Sequence, residues 1–493
     1  MNEEEVVRRE RLQALRQNGI NPYPAKVTRT HSVKEYMGLF EEIEKQGSVV
    51  YLTGRVRTIR VHGGLTFSHI EDGSGQIQLV LKKDHLGEDN YKTFKDTVDM
   101  GDFLEVSGRP FVTQKGEHSL AVDNYQIIAK SLLPLPEKWH GLTDQEIRYR
   151  QRYLDLVSNE SVRNIFKVRS AVLTALRNFL NGHGYMEVET PVLQAIPGGA
   201  AARPFITHHN VLGADLYLRI APELYLKRLL VGGFERVYEV ARCFRNEGID
   251  HAHNPEFTQI EGYAAYMDYQ ELMSLMEEMV VVAIKAAGKD PACLTFKGQE
   301  LNFSTPWPRL TFRDAVLKHS GIDIENFPDV DSLSVAMKEK NLEVDPKAGY
   351  GTLLDNLYKQ TARPAIIQPV YVYDYPVAVS PLVKRKDNDP RYIEMFQMVY
   401  GGGEENIKAF SELNDPLDQE ARFAEQAAAR ASGDEEAQFS DPDYVTAMKH
   451  GMPPNAGFGI GIDRLVAMLT DSPNLKEVIL FPTLRPEPPT DQE

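Results

Sequence analysis

The sequence predicts a two-domain α+β protein: a small β-barrel followed by a larger domain built on an antiparallel sheet flanked by helices. Three observations point there. Residues 49–130 break into five short segments of β character with one polar helical piece among them. From about residue 146 the apolar spacing changes to a helical period. Later strand-like segments are joined by hairpin turns rather than by regularly spaced helices.

The bulk numbers agree. The chain has 493 residues, 42% hydrophobic and 26% charged, enough for a large core and against disorder. Its net charge of −16 argues against nonspecific polyanion binding but leaves room for a local basic patch. No apolar run approaches the ~20 residues of a membrane span, so no membrane association is expected. Two cysteines, Cys243 and Cys293, lack metal-ligand spacing, which makes a cytoplasmic location the default.

Taken in order, "MNEEEVVRRERLQALRQNG" is a charged helix, and "GINPYP" breaks it. The five strands are "SVVYLTGRVRTIRV", "LTFSHIED", "GQIQLVLKK", "DFLEVSGRPFVT" and "HSLAVDNYQIIAK", with "DGSG" as a tight turn. "GEDNYKTFKDTV" is the helical piece between the third and fourth strands, the arrangement of an OB-type barrel. "SLLPLPEKWHGLTDQE" is a Pro-containing linker. In "IFKVRSAVLTALRNFLNGHGY", Ile165, Val168, Val172, Leu176 and Phe179 recur at helical spacing, and Gly184 ends the run. "MEVETPVL" is a strand ending at Pro191, and 420–446 is an Ala-rich, acidic helix and solvated loop.

Two stretches suggest chemistry. In "CFRNEGIDHAHNPEF", residues 243–257, Arg245 and Glu247 would share one face of an extended strand. That pattern suits a solvated hairpin as well as a surface for a charged ligand. In "AGFGIGIDRLVAML", residues 456–469, Gly457, Gly459 and Gly461 leave one strand face bare, with Asp463 and Arg464 at a helix start. A bare face admits a ligand, or tight strand packing.

The order of the long helix with its Pro-ended strand, "FRNE…HNPEF" and "GFGIGIDRL" resembles the three signature motifs of class II aminoacyl-tRNA synthetases. "YRQRYLDL", "MEVETPVLQAIPGGAAARPF", "LYLRIAPELYLKRLLVGGFERVYEV" and "FSELNDP" narrow the resemblance to the class II lysyl-tRNA synthetases, over essentially the whole chain. It implies an N-terminal helix and connector at 1–30, an OB-fold anticodon-binding domain at 31–134, a linker at 135–150 and a class II catalytic domain at 151–493. It also implies ATP-dependent ligation of L-lysine to tRNA(Lys) by a cytoplasmic homodimer formed through motif one, with Mg2+ arriving on ATP.

The resemblance assigns residues too. Arg245 would hold the α-phosphate and the amino-acid carboxylate, Glu247 would read the adenine or the tRNA end, and His253 would approach the terminal phosphates. Phe257 and Arg464 would sandwich the adenine. Glu261, Tyr263 and Glu412 would clasp the ε-ammonium, with Phe410 on the same strand face as Glu412. Glu223 and the backbone at Gly199 would hold the α-amino group. In the barrel, Phe67, Gln78 and Glu117 match positions that read the U-rich anticodon, with Arg55, Arg57 and Arg60 on the adjacent strand.

Three positions depart from the family pattern. Ala252 stands where an Arg is common, and Gln397 replaces a metal-sharing Glu, leaving Glu405 or Glu404 as the magnesium ligand. Lys408 replaces an Asn near the substrate carboxylate, where its cation would take over an anion contact. Two rivals remain: an aspartyl- or asparaginyl-type synthetase, disfavoured by Glu223, Glu261 and Glu412, and a catalytically decayed tRNA-binding paralogue, disfavoured by intact Arg245, Phe257 and Arg464.

Overall fold

The computed structural model describes residues 2–136, 142, 144–200, 202–380, 383–431 and 439–486. It divides into two units, Met1–Leu142 and Thr143–Glu493. In the first unit the helix Glu3–Gln17 is capped by Asn2, whose side chain accepts from the Glu5 N–H, and three glutamates sit at its positive end. The strands Val50–His62, Leu65–Glu71, Gln76–Lys82, Phe103–Val112 and His118–Ala129 close into a barrel in the order first, second, third, fifth, fourth. The expected helical insertion is Glu88–Thr97. Along Leu65–Glu71, Thr66, Ser68 and Ile70 point inward, so Phe67 and His69 are left on the outer face.

The second unit is organised by an eight-stranded sheet. Its spatial order is Arg309–Thr311, Val370–Pro376, Tyr392–Tyr400, Glu404–Ser411, Asn455–Gly461, Glu256–Ala265, Arg236–Phe244, Met186–Glu187. The six central strands are antiparallel, as expected, but both outermost pairings are parallel. Hairpins cannot make these end pairings: one short end strand follows the helix Glu160–Gly182 and the other precedes the helix Phe312–Ser320. Val172, Leu176 and Leu180 of the long motif-one helix are fully buried against Tyr238, Ile260 and Phe458 of the sheet and against the helix Tyr269–Ala286.

Of the stretch 135–150 expected as a linker, residues 137–141 and 143 lie outside the described residues, and Gln145–Arg150 is a helix. In 420–446, the helix Pro416–Ala431 covers the Ala-rich part. Residues 432–438 of the expected solvated loop lie outside the described residues.

Candidate active site and barrel face

The sheet register builds the site. On Glu256–Ala265 the period of two puts Phe257, Gln259, Glu261 and Tyr263 on one face. Opposite them on the neighbouring strand lie Gly461 facing Gln259, Gly459 facing Glu261, and Gly457 facing Tyr263. Beyond the glycines, Lys408 pairs with Gly459, Phe410 with Gly457, and Gln397 with Lys408. A row of missing side chains therefore runs between two rows of functional ones, and above it opens a cavity of about 610 Å³.

The bare strand face does two different things. A Cβ on Gly459 would meet nothing closer than Glu261 Cγ at 3.8 Å, so this part of the floor is open. A Cβ on Gly457 would fall 2.5 Å from both Tyr263 Cδ1 and Glu412 Oε1. At that position the space belongs to the protein's own side chains.

One end of the cavity is acidic. Glu223 begins the helix Glu223–Val231, and Gly199, at φ +86°, passes so close that a Cβ there would lie 2.7 Å from that of Glu223. Glu261 is buried, accepts from Gln259 Nε2 at 2.6 Å and from the Tyr263 hydroxyl at 3.3 Å. Burial, reinforced by Glu223, pushes its pKa up to about 8. Glu412 is only 1% exposed and stands behind the wall rather than on it. Its carboxylate pairs with Lys227, which was not anticipated from the sequence and which also bonds Glu223 Oε1 at 2.5 Å. Burial raises the Glu412 pKa, and Lys227 opposes the shift. The same burial works against charge on Lys227, but Glu223 and Glu412 outweigh it and hold the ammonium protonated.

The other end is cationic. The strand Arg236–Phe244 stops one residue short of Arg245, so Arg245 and Glu247 sit on an irregular loop and not on a strand as the alternation suggested. The Arg245 N–H donates to the Pro255 carbonyl at 2.8 Å, in register with the Phe244–Glu256 pair, but Pro255 has no N–H to return the bond and the ladder ends there. Arg245 and Glu247 nonetheless both line the cavity, with His253, Phe257 and Arg464. The Arg245 guanidinium lies 5.0 Å from the Phe257 ring centroid, and its Nε is buried with no hydrogen bond. His253 Nδ1 is 2.9 Å from Asp250. Arg464 Nη1 donates to the Glu405 carbonyl at 3.2 Å, and its neighbour Asp463 accepts from the Thr258 N–H and from Arg169. Arg464 is thus held at the helix start by contacts on either side.

Lys408 enters the cavity between these ends. Its surface is open to solvent, but only within the deep cavity, where desolvation lowers its pKa against the pull of Glu223 and Glu405. Of the two carboxylates considered for magnesium, Glu405 lines the cavity and Glu404 is paired with Lys297 at 2.5 Å. The register explains the difference: a bulge opposite Met398 and Val399 absorbs the extra residue and brings both Glu405 and Asn406 to the wall. Asn406, another residue the sequence reading missed, is buried with neither amide atom hydrogen-bonded. The Gln397 oxygen is engaged by the Tyr375 hydroxyl at 2.7 Å, and Glu405 is 3.3 Å from Arg363. No cluster of three or more His, Cys, Asp or Glu suited to a metal occurs among the described residues.

On the barrel, Phe67 pairs in register with Arg60 and Val80, and His69 pairs with Thr58 and Gln78, all on the outer face. Gln78 donates to Glu117 Oε2 at 2.9 Å and accepts from Ser119 at 2.9 Å. His69 Nδ1 lies 2.8 Å from the Thr58 hydroxyl and its Nε2 lies 3.5 Å from Glu117. The face thus joins one aromatic ring to a preset chain of donors and acceptors, with exposed Arg60 beside it. Arg55 and Arg57 are already engaged, Arg55 over the Phe103 ring and Arg57 with Glu71.

Comparison with known proteins agrees with both halves. Residues 50–134 match the OB-fold nucleic acid binding domain, and residues 144–485 match the family described as tRNA synthetases class II (D, K and N). The lysine–tRNA ligase of Pelotomaculum thermopropionicum is 48% identical over 490 residues, 99% of this chain and 96% of the relative. Those of Roseiflexus castenholzii and Moorella thermoacetica are 49% and 48% identical, covering 99% and 98% of either chain. With its barrel, its glycine-floored cavity and these relatives, the chain belongs to the class II tRNA synthetases of the D, K and N group.

Proposed function

We propose that this chain is a lysine–tRNA ligase, and the observation that carries the reading is one cavity with a glutamate-lined end and an arginine-lined end. A doubly cationic amino acid fits the first and a polyanionic nucleotide the second. Buried charges need partners, and the acidic end supplies them for lysine alone among the amino acids activated by this group. Glu223 and the Gly199 backbone hold the α-ammonium, and Glu261 and Tyr263 meet the ε-ammonium, with Phe410 alongside the stem and Glu412, expected there from the sequence, behind them paired to Lys227. Phe257 and Arg464 take the faces of the adenine, Glu247 its edge, and His253 the terminal phosphates.

In the first step a carboxylate oxygen of lysine attacks the α-phosphorus, the bond to the β-phosphate oxygen breaks, and pyrophosphate leaves. Arg245 stabilises the charge building on the α-phosphate, and Lys408 holds the carboxylate in line; positioning and electrostatics do the work. In the second, a hydroxyl of the tRNA's terminal ribose attacks the lysyl carbonyl, AMP leaves and the hydroxyl proton is lost. The residues fit magnesium only in part: Glu405 offers one carboxylate, so Mg2+ arrives with ATP, and when bound it neutralises phosphate charge.

The barrel, residues 31–134, reads the anticodon of tRNA(Lys) through Phe67, Gln78, Glu117 and Arg60, and residues 151–493 perform catalysis. Exposed Met186, Val192 and Leu193, beside the motif-one helix, support a homodimer through that surface. No helix of the described residues is long and apolar enough to cross a membrane. An enzyme of translation works in the cytoplasm. Amino-acid-dependent ATP–pyrophosphate exchange across the amino acids, followed by charging of tRNA(Lys), tests the reading. Exchange driven by aspartate or asparagine, or no exchange, would overturn it.

A further inference from the structure

Lys227 sits where a substrate ammonium is expected. Its side chain is 6% exposed, and its Nζ bonds Glu223 Oε1 at 2.5 Å and pairs with Glu412. The same nitrogen lies 5.7 Å from the ring centroids of both Tyr263 and Phe410. Two carboxylates and two aromatic rings make a cage for an ammonium ion, and the chain fills it with its own. Lys227 lines the cavity, whereas Glu412 is screened behind it.

We propose that Lys227 is a positioning residue for lysine selection: a resident counter-ion that neutralises one of the three pocket carboxylates and leaves negative charge for two incoming ammonium groups. This rests on the lysine-ligase reading above. Glu223, Glu261 and Glu412 together would overmatch the two ammonium groups of lysine by one charge. With Lys227 in place the charges balance, and the substrate's own carboxylate falls to Lys408 and Arg245. Without it, Glu412 is left buried with no cation and takes up a proton, and Glu223 loses the bond that holds its carboxylate in place for the substrate.

The groups facing Glu412 come from several elements. The helix Glu223–Val231 contributes Glu223 and Lys227, and the strand Glu256–Ala265 contributes Tyr263. Tyr444 of the helix Pro442–Lys449 completes the set. Among these, Lys227 is the cation paired with Glu412 itself. Its removal therefore acts on the protonation of Glu412 before it acts on anything else.

The test is Lys227→Met, close in length and neutral, assayed by lysine-dependent pyrophosphate exchange from pH 6.5 to 9.5. Lys227→Arg is the charge-keeping control, and Lys227→Gln is a second neutral variant should the first not fold. The expected result is a lysine KM raised ~10-fold or more at pH 7, with the rising limb of kcat/KM moved alkaline by ~1 pH unit. The ATP KM should stay near wild type, and Lys227→Arg should recover most of the loss. A neutral variant whose pH profile overlays that of wild type overturns the proposal, and so does a loss that is uniform across pH and shared by the ATP KM. Absence of exchange with lysine in the wild-type protein would instead overturn the functional reading itself.

Discussion

Adding one methyl group to Gly457 should separate lysine recognition from nucleotide binding. Gly457 has no left-handed backbone requirement, so Gly457→Ala acts through space alone. The new Cβ would lie 2.5 Å from Tyr263 Cδ1 and from Glu412 Oε1, against ~3.5 Å for an ordinary carbon contact. Both side chains must retreat by about 1 Å, and neither has free room: Glu412 is held by Lys227, and Tyr263 is buried and bonded to Glu261. An ångström of misplacement in a binding geometry costs on the order of 10²-fold. The lysine KM should rise by about that factor while the ATP KM moves little, because Phe257 and Arg464 are untouched. Overpacking should also cost ~1–3 kcal/mol of stability, seen as a Tm lower by roughly 2–6 °C. Gly459→Ala is the internal comparison: its Cβ has ordinary contacts, so the Tm should not move. A Gly457→Ala enzyme with the wild-type lysine KM would refute the view that this glycine makes room for the pocket's own walls.

Four further outcomes are expected. Arg245→Ala should slow adenylate formation in pyrophosphate exchange on the order of 10²–10³-fold while leaving tRNA binding nearly unchanged; wild-type exchange would refute the motif-two assignment. Phe67→Ala should raise the tRNA KM in aminoacylation, since stacking is worth roughly 1–3 kcal/mol, with tRNA-independent lysine activation intact. Lys408→Ala should raise the KM of both lysine and ATP severalfold, about 1 kcal/mol for each contact, and unchanged kinetics would show that its cation meets neither. For Glu261, burial raises the folded-state pKa to about 8, so its stabilising contribution is present below its unfolded value near 4.5 and lost as pH rises through about 8. The stability advantage of lysine-free Glu261→Gln should therefore grow between pH 5 and 8, by at most ~1.4 kcal/mol per pH unit, and calorimetry showing a pH-independent difference would refute this.

What the sequence made legible follows the range of the forces involved. The five barrel strands and the motif-one helix are set by local alternation and periodicity, and they lie within a few residues of their expected bounds. Phe257, Glu261 and Tyr263 share a face because the period of two is a property of any strand. Arg245 falls off the ladder because Pro255, its partner in register, has no N–H to return the bond that Arg245 donates. Lys227 was within reach: four residues after Glu223 on one helix, it had to share that glutamate's face. Its second partner, Glu412, is 185 residues away and meets it only in the fold. Gly457 was legible as a missing side chain, but not as space already claimed, since that depends on which residues stand on the strands to either side. The choice between Glu404 and Glu405 shows the same limit most sharply. Counting residues exposes one too many in the turn, yet only the ladder shows the bulge that absorbs it opposite Met398 and Val399. That bulge sends Glu404 out to Lys297 and sets Glu405 beside Asn406 on the cavity wall, so one extra residue decides which carboxylate reaches the cavity.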